Sequence, residues 1–336
     1  MTKWKEGLSG LALAAAMLGA ITTSALADAG ELHIYNWTDY TSDEMIKKFE
    51  AETGIKVTVR NGSDTEMSNQ IIQEGKASPA DVFLTENSPA MAQVENAGLF
   101  ADIDKATSDQ VPAEFRPSTS KWTGIAARST VFVYDPKKIT ADQLPKSMLD
   151  LAKPEWKGKW AASPTGADFQ AIVAALLELK GEEATTQWLA GMKENFTAYK
   201  GNSTAMKAVN AGEIDAALIY HYYYYGDQAK TGENSKNVTP YYFKNQDPGA
   251  FVSVSGGGVL ASSKHAEQAQ EFLKFVTGKK GQEILKDGTS FEYAVGSEVA
   301  SNEKLVPLKE LQAPTVDPAK LDSAKVTDLM TKAGLL

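Results

Sequence analysis

The chain has no cysteine. That absence excludes disulfides, thiolate metal sites and cysteine nucleophiles together. A fold without disulfides must rest on its apolar core, and 336 residues suffice for two lobes that do so. Histidine is nearly as scarce, with only His33, His221 and His265. None falls in an H-x-x-x-H or H-E-x-x-H zinc pattern. No G-x-S-x-G elbow marks a serine nucleophile, and no carboxylate pair stands out as a glycosidase acid and nucleophile. Ser255-Gly256-Gly257-Gly258 lacks the Gly-Lys-Ser/Thr ending of a phosphate loop, and reads as a close backbone approach or a bulge. The residues make no case for catalysis, so the chain is read as a binding protein rather than an enzyme.

Long apolar runs are also missing, apart from one at the start. Lys3 and Lys5 precede a mostly apolar stretch from Leu8 to Ile21, and Ala25-Leu26-Ala27 forms an A-x-A cleavage site. The apolar part is short for a membrane span, which needs about 20 residues. Residues 1–27 are therefore expected to be a secretory signal, with a mature chain from Asp28 and no lipid-anchor cysteine after it. Positive charge is in deficit too. Taking the signal's net +1 from the whole-chain charge of −9 leaves −10. An acidic surface argues against nucleic acid and suits a cationic ligand.

What the chain has in excess is tyrosine at one place. Five of its twelve tyrosines fall within Tyr220-His221-Tyr222-Tyr223-Tyr224-Tyr225, after an apolar run from Ala216 to Ile219. The run has neither helical nor strand periodicity, so it cannot be one clean core face. It reads as a strand end opening into a loop, which is where α/β proteins place ligand-binding groups. Phenolate oxygen is a hard donor suited to Fe(III). Tyrosine is equally at home at interfaces and in sugar-binding clefts, and the run alone does not choose among these.

Elsewhere the pattern is β-α-β-α-β. Strands are expected over Glu31 to Tyr35, around Ile55, Val57 and Val59, and over Asp81 to Leu84, with helices between them. Such an opening implies a mainly parallel sheet. Tyr40 and Glu86 then follow the carboxyl ends of strands, on the ligand side. Thr130 to Tyr134 is a long β-prone run with Arg128 just before it. Ala250 to Ser255 is another strand, read as the crossing back. Ser163 to Asp168 is a small-residue turn before an apolar helix from Phe169 to Lys180. Backbone N–H groups there could hold an anion, or Thr165 or Asp168 could simply cap the helix.

Taken together, Ser78-Pro79-Ala80-Asp81-Val82-Phe83, Arg128-Ser129, Asn202-Ser203, Gly212 to Ile219 with Tyr222-Tyr223, and Asp247-Pro248-Gly249-Ala250 resemble the periplasmic ferric-iron-binding proteins of ABC transporters. The likeness runs over nearly the whole mature chain. It implies an α/β fold of two lobes, the class II periplasmic binding protein fold, with two crossing strands at the hinge and the ligand cleft between the lobes. It implies Fe(III) as cargo, a membrane permease with its ATPase as partners, a monomer, and a periplasmic location. By the resemblance Tyr222 and Tyr223 supply phenolates and Glu86 a carboxylate. A synergistic anion, phosphate or carbonate, falls to the turn Thr165-Gly166-Ala167 and to Asn202, with Arg128 nearby. The family's histidine after the first strand is absent, because that position is Asp39. Asp39 or Tyr40 would supply oxygen instead. Asn36-Trp37-Thr38-Asp39-Tyr40 looks more like the polyamine-binding branch of the fold, so spermidine or putrescine is the rival cargo. An exported hydrolase is the rival from another class. The expected lobes are 28–128 with 252–305, and 129–251 with 306–336.

Overall fold

A computed structural model describes residues 30–36 and 40–336. The expected signal, residues 1–27, and Asp39 lie outside the described residues. The chain opens with β1 (Glu31–Asn36), α1 (Tyr40–Thr53), β2 (Lys56–Asn61), α2 (Asp64–Glu74), β3 (Val82–Leu84) and α3 (Ser88–Asn96), the expected alternation. β1 pairs in parallel with both β2 and β3. Alternation in β1 buries Leu32 and Ile34, and α1 answers with Met45, Ile46 and Phe49. These join Phe272 and Leu273 in one core, with Phe49 and Phe272 edge-to-face at 5.2 Å. Burying each such side chain contributes about 1.5–3 kcal/mol. Ser42 lies inside α1 and accepts from Asn36 Nδ2 at 2.9 Å.

After a short α4 (Lys105–Ser108), the long β4 (Thr123–Tyr134) is buried throughout. β5 (Trp160–Ala162), α5 (Ala167–Asn195), β6 (Phe196–Ala198), α6 (Asn202–Ala211), β7 (Ala216–Tyr220), α7 (His221–Lys230) and β8 (Thr239–Tyr241) follow. The helix expected to end at Lys180 continues to Asn195 across a break at Gly181, whose φ is 81°. The chain closes with β9 (Val252–Val259), α8 (Ala266–Thr277), α9 (Lys279–Asp287), β10 (Tyr293–Ala294), α10 (Leu308–Leu311) and α11 (Ser323–Lys332).

β4 holds the architecture together by changing partners. Its first half, Thr123 to Ser129, lies between β9 and β10, and β9 in turn pairs with β3. Its second half, Thr130 to Tyr134, lies between β7 and β8, and β7 leads on to β5 and β6. The sheet path β2-β1-β3-β9-β4-β7-β5-β6 therefore serves two α/β lobes. One lobe packs around Phe49, Val82 and Phe272, and the other around Phe132, Trp160, Phe169 and Trp188. The glycines of β9 mark a close approach. A Cβ on Gly256 would sit 2.5 Å from Met91, and one on Gly258 2.6 Å from Phe100.

Candidate metal centre

The tyrosine run is not an extended loop. β7 ends at Tyr220 and α7 begins at once with His221. Successive helical residues are about 100° apart, so the run fans around the axis. Tyr222 and Tyr223 face a cavity of about 670 Å³, which Gly226, Asp227 and Lys230 line from the following turns. Tyr225 turns away to stack on Phe291 and to meet the Tyr242 hydroxyl at 3.4 Å. Tyr220 is fully buried at the strand end, its hydroxyl 3.4 Å from Asn87 Oδ1. Gly226, the residue after the run, lies within α7.

Four acidic oxygens converge where α7 meets the rest of the cleft. The Tyr222 hydroxyl donates to Glu86 Oε1 at 3.0 Å, and lies 3.4 Å from Asp168 Oδ2. The Tyr223 hydroxyl donates to the same Asp168 oxygen at 3.3 Å. The two phenol rings stack at 4.2 Å. Two buried amides fix Asp168 from opposite sides, Asn202 Nδ2 at 2.7 Å and Asn87 Nδ2 at 3.0 Å. Glu86 and Asn87 come from the loop after β3, so both lobes contribute to the cluster.

The elements explain why these groups meet. Asp64 is the first residue of α2, Asn87 stands at the N-cap position of α3 without a side-chain capping bond, and Asp168 is the second residue of α5. Asn202 is first in α6, and Tyr222 and Tyr223 are second and third in α7. Five helices thus carry a polar site residue at their N-terminal ends. Helix N-termini favour negative charge, each by about 0.3–1 kcal/mol. Burial, then the negative charges of Asp168 and Glu86, hold the Tyr222 and Tyr223 phenols above the ordinary tyrosine range. Burial, then the Glu86 charge, pushes the Asp168 carboxyl up to about 7. Asp168 and the two phenols therefore tend to hold protons, and a cation of high charge could take their place. Among the described residues, no three His, Cys, Asp or Glu side chains come together as a metal site. A cation held here would have to draw on the phenols.

The expected residues are distributed unevenly about this cluster. Glu86, Asn202, Tyr222 and Tyr223 are brought together. Tyr40 opens α1, and its side chain is outside what the structure describes. In the expected anion turn, Thr165 is exposed, Gly166 caps α5 without a side-chain bond, and Ala167 is the first helical residue. Arg128 is buried. Its guanidinium pairs with Glu292, donates to the Glu86 carbonyl and to Ser255 Oγ, and lies 5.5 Å from the Tyr222 ring centre. His221 points away from the cluster. Its Nδ1 accepts from the Ser129 N–H at 3.1 Å, its ring stacks on Tyr293, and burial lowers its pKa to about 3. Sequence reasoning treated Asp168 only as a possible cap and overlooked Asn87 and Asp64. The polar Thr85-Glu86-Asn87-Ser88 segment after a strand was the available signal for Asn87.

The sequence matches the bacterial extracellular solute-binding protein family over residues 77–320. It is 65% identical over 324 residues to the Fe(3+)-binding periplasmic protein of Serratia marcescens, covering 95% of each chain. It is 35% identical to the major ferric iron-binding protein of Neisseria gonorrhoeae, covering 95% of this chain and 98% of that one. The fold superposes on iron-bound HitA from Pseudomonas aeruginosa with a TM-score of 0.85 at 40% identity, over 91% of this chain and 99% of the other.

Proposed function

The chain belongs to the bacterial extracellular solute-binding protein family, and on that premise we propose that it is a periplasmic binding protein that captures Fe(III) for an ABC importer. The observation that carries this reading is the meeting of Glu86, Asp168, Tyr222 and Tyr223 oxygens at 3.0–3.4 Å. Ferric iron prefers hard oxygen donors and takes about six of them. The cluster offers four, two of them phenols whose deprotonation a trivalent ion strongly favours. Asp39 or Tyr40 is the further protein donor in this reading.

Asp168 bears on the anion. It stands at the N-terminus of α5 and takes the Asn202 amide. Those are the two features by which a phosphate or carbonate was expected to be held. The reading therefore gives Asp168 the place first expected for a synergistic anion, with Thr165, Gly166 and Ala167 as the backbone around it. Arg128 acts through the Glu86 carbonyl and the face of Tyr222 rather than on an anion.

We assign the lobes as 28–128 with 252–305, and 129–251 with 306–336. Two facts support the boundaries. β4 exchanges partners between Ser129 and Thr130, where the Thr130 N–H donates to the Phe251 carbonyl, so the two crossings lie side by side. α11 packs its Val326, Leu329 and Met330 into the core around α5. A cleft between lobes suits closure on the ligand, and a permease with its ATPase is the partner that would read the closed monomer. The chemistry assigned to the cleft is capture and release, with no catalytic step.

The test is colour and affinity. The purified protein should turn orange to red with Fe(III) through phenolate-to-iron charge transfer. Tyr222→Phe and Tyr223→Phe should each weaken binding steeply, and the double variant should lose the band. Phe keeps the ring but removes the donor oxygen. If the double variant keeps both colour and affinity, the site lies elsewhere. If the wild type takes up spermidine or putrescine in calorimetry and no Fe(III), the polyamine reading replaces this one.

A further inference from the structure

The loop that carries Glu86 is anchored by a side chain that touches none of the cluster's acidic oxygens. Asp64 opens α2, but Ser63 already caps that helix by accepting from the Glu66 N–H. The Asp64 carboxylate therefore reaches across to the loop after β3. Its Oδ1 accepts from the Glu86 N–H at 2.9 Å and its Oδ2 from the Asn87 N–H at 2.9 Å. The carboxylate is buried, at 6% exposure. From the other side, Arg128 donates to the Glu86 carbonyl. Glu86 is thus gripped at its N–H by the Asp64 carboxyl group and at its C=O by the Arg128 guanidinium.

What the grip positions is the first lobe's contribution to the cluster. Glu86 meets Tyr222 at 3.0 Å, and Asn87 holds Asp168 while its Oδ1 accepts from Ser253 Oγ at 2.7 Å. Placing a second buried carboxylate beside Glu86 is electrostatically unfavourable. A neutral amide or hydroxyl could accept from this loop without that repulsion. The two-pronged geometry, one oxygen for each of two consecutive N–H groups, calls for two acceptor oxygens on one carbon, which an amide or a hydroxyl lacks.

We propose that Asp64 is a positioning residue for iron capture, fixing the Glu86–Asn87 backbone so that the Glu86 carboxylate meets the tyrosine pair. This rests on the reading of Glu86 as a ligand. Groups that orient metal ligands typically change affinity by about 10–100-fold when replaced. Asp64→Asn keeps one acceptor but turns an N–H₂ donor toward the other backbone N–H, so the loop must shift.

The test is a double-mutant cycle on Fe(III) affinity, measured by citrate competition, with Asp64→Asn, Glu86→Gln and the double variant. Asp64→Asn should weaken binding about 10–100-fold while the charge-transfer band remains, since both tyrosines stay in place. The double variant should bind no more weakly than Glu86→Gln alone. Urea unfolding of the metal-free variants separates this from general damage. If Asp64→Asn does not fold, Asp64→Ser removes the carboxylate with a smaller side chain and takes its place in the cycle. Unchanged affinity in the Asp64 variant overturns the proposal, and so do losses that multiply in the double variant. An unchanged affinity in Glu86→Gln alone removes the ligand reading itself, and the proposal with it.

Discussion

Asp168→Asn should make the metal-free protein more stable at pH 8 while making it a poorer iron binder. Folding raises this carboxyl from an ordinary value of 3.8 to about 7, through burial and then the Glu86 charge. The native state therefore keeps a proton that the unfolded chain loses between those two values. Stability falls as pH rises through that window, and above pH 7 the penalty is fully present. At about 1.36 kcal/mol per unit, a rise from 3.8 to about 7 corresponds to about 4 kcal/mol. The asparagine has no charge to desolvate. It still accepts from Asn202, but it sets an N–H against the Asn87 amide, which costs about 1 kcal/mol. The expected net gain at pH 8 is on the order of 1–3 kcal/mol, shrinking toward nothing near pH 5. Urea unfolding at pH 5, 6.5 and 8 measures it. The wild type should lose stability over that range, and the variant should lose less. Some slope must remain, because Asp64 is also pushed up to about 7, by its burial and then by Glu86. A variant with the wild-type slope, or one destabilised equally at pH 5 and pH 8, would refute this reasoning.

Iron uptake should release protons. The Tyr222 and Tyr223 phenols sit above the ordinary range in the metal-free protein, so both must deprotonate on binding, and log affinity should fall by at least about two per unit drop in pH. Uptake of Fe(III) with no measurable proton release in weakly buffered solution would count against tyrosinate ligation. The lobe assignment predicts compaction on binding. The Tyr222–Glu86 hydrogen bond joins the lobes in the structure described, so small-angle scattering should show a radius of gyration that falls toward this form when Fe(III) is added, and an unchanged radius would sink the hinge.

The fold was legible where the apolar pattern had one interpretation. The strand expected over Glu31 to Tyr35 and the helix expected after it are both there, and they share a core through Leu32, Ile34, Met45 and Phe49. Gly181 concealed the second half of α5, because a glycine followed by two glutamates looks like a stop, yet the helix resumes to bury Trp188, Leu189 and Met192. The tyrosine run failed as local reasoning. Aromatic residues favour strands, and nothing local shows that α7 starts at His221. The side chain of Tyr223 packs against two cores at once, and only tertiary contact supplies that information. Among site residues, Glu86 followed from its place after a strand. Asp168 did not, because an acid in the first turn of a helix is ordinarily a cap or a dipole partner. Its burial against Asn87, 81 positions away, is invisible in the sequence.

The same contact explains why the cluster is arranged as it is. Two carboxyls and two phenols, brought within hydrogen-bonding reach and shielded from water, cannot all ionise. The metal-free site holds together because protons sit between the oxygens. Those protons mark the places where a cation of high charge would satisfy every oxygen at once. Asn202 and Asn87 are suited to this because an amide N–H donates to Asp168 whether the phenols are protonated or not. A lysine in either place would supply the positive charge permanently and would compete with the cargo. Arg128, 5.5 Å from the Tyr222 ring centre, is committed to Glu292 and to the Glu86 carbonyl, so much of its charge is already compensated. Lys207 and Lys230 line the outer cavity, but the side chains that hydrogen-bond Asp168 are neutral amides and phenols, and the helix ends around the cluster support negative oxygens without supplying a full counter-charge. An incoming trivalent ion can therefore gain far more at this site than a monovalent or organic cation could.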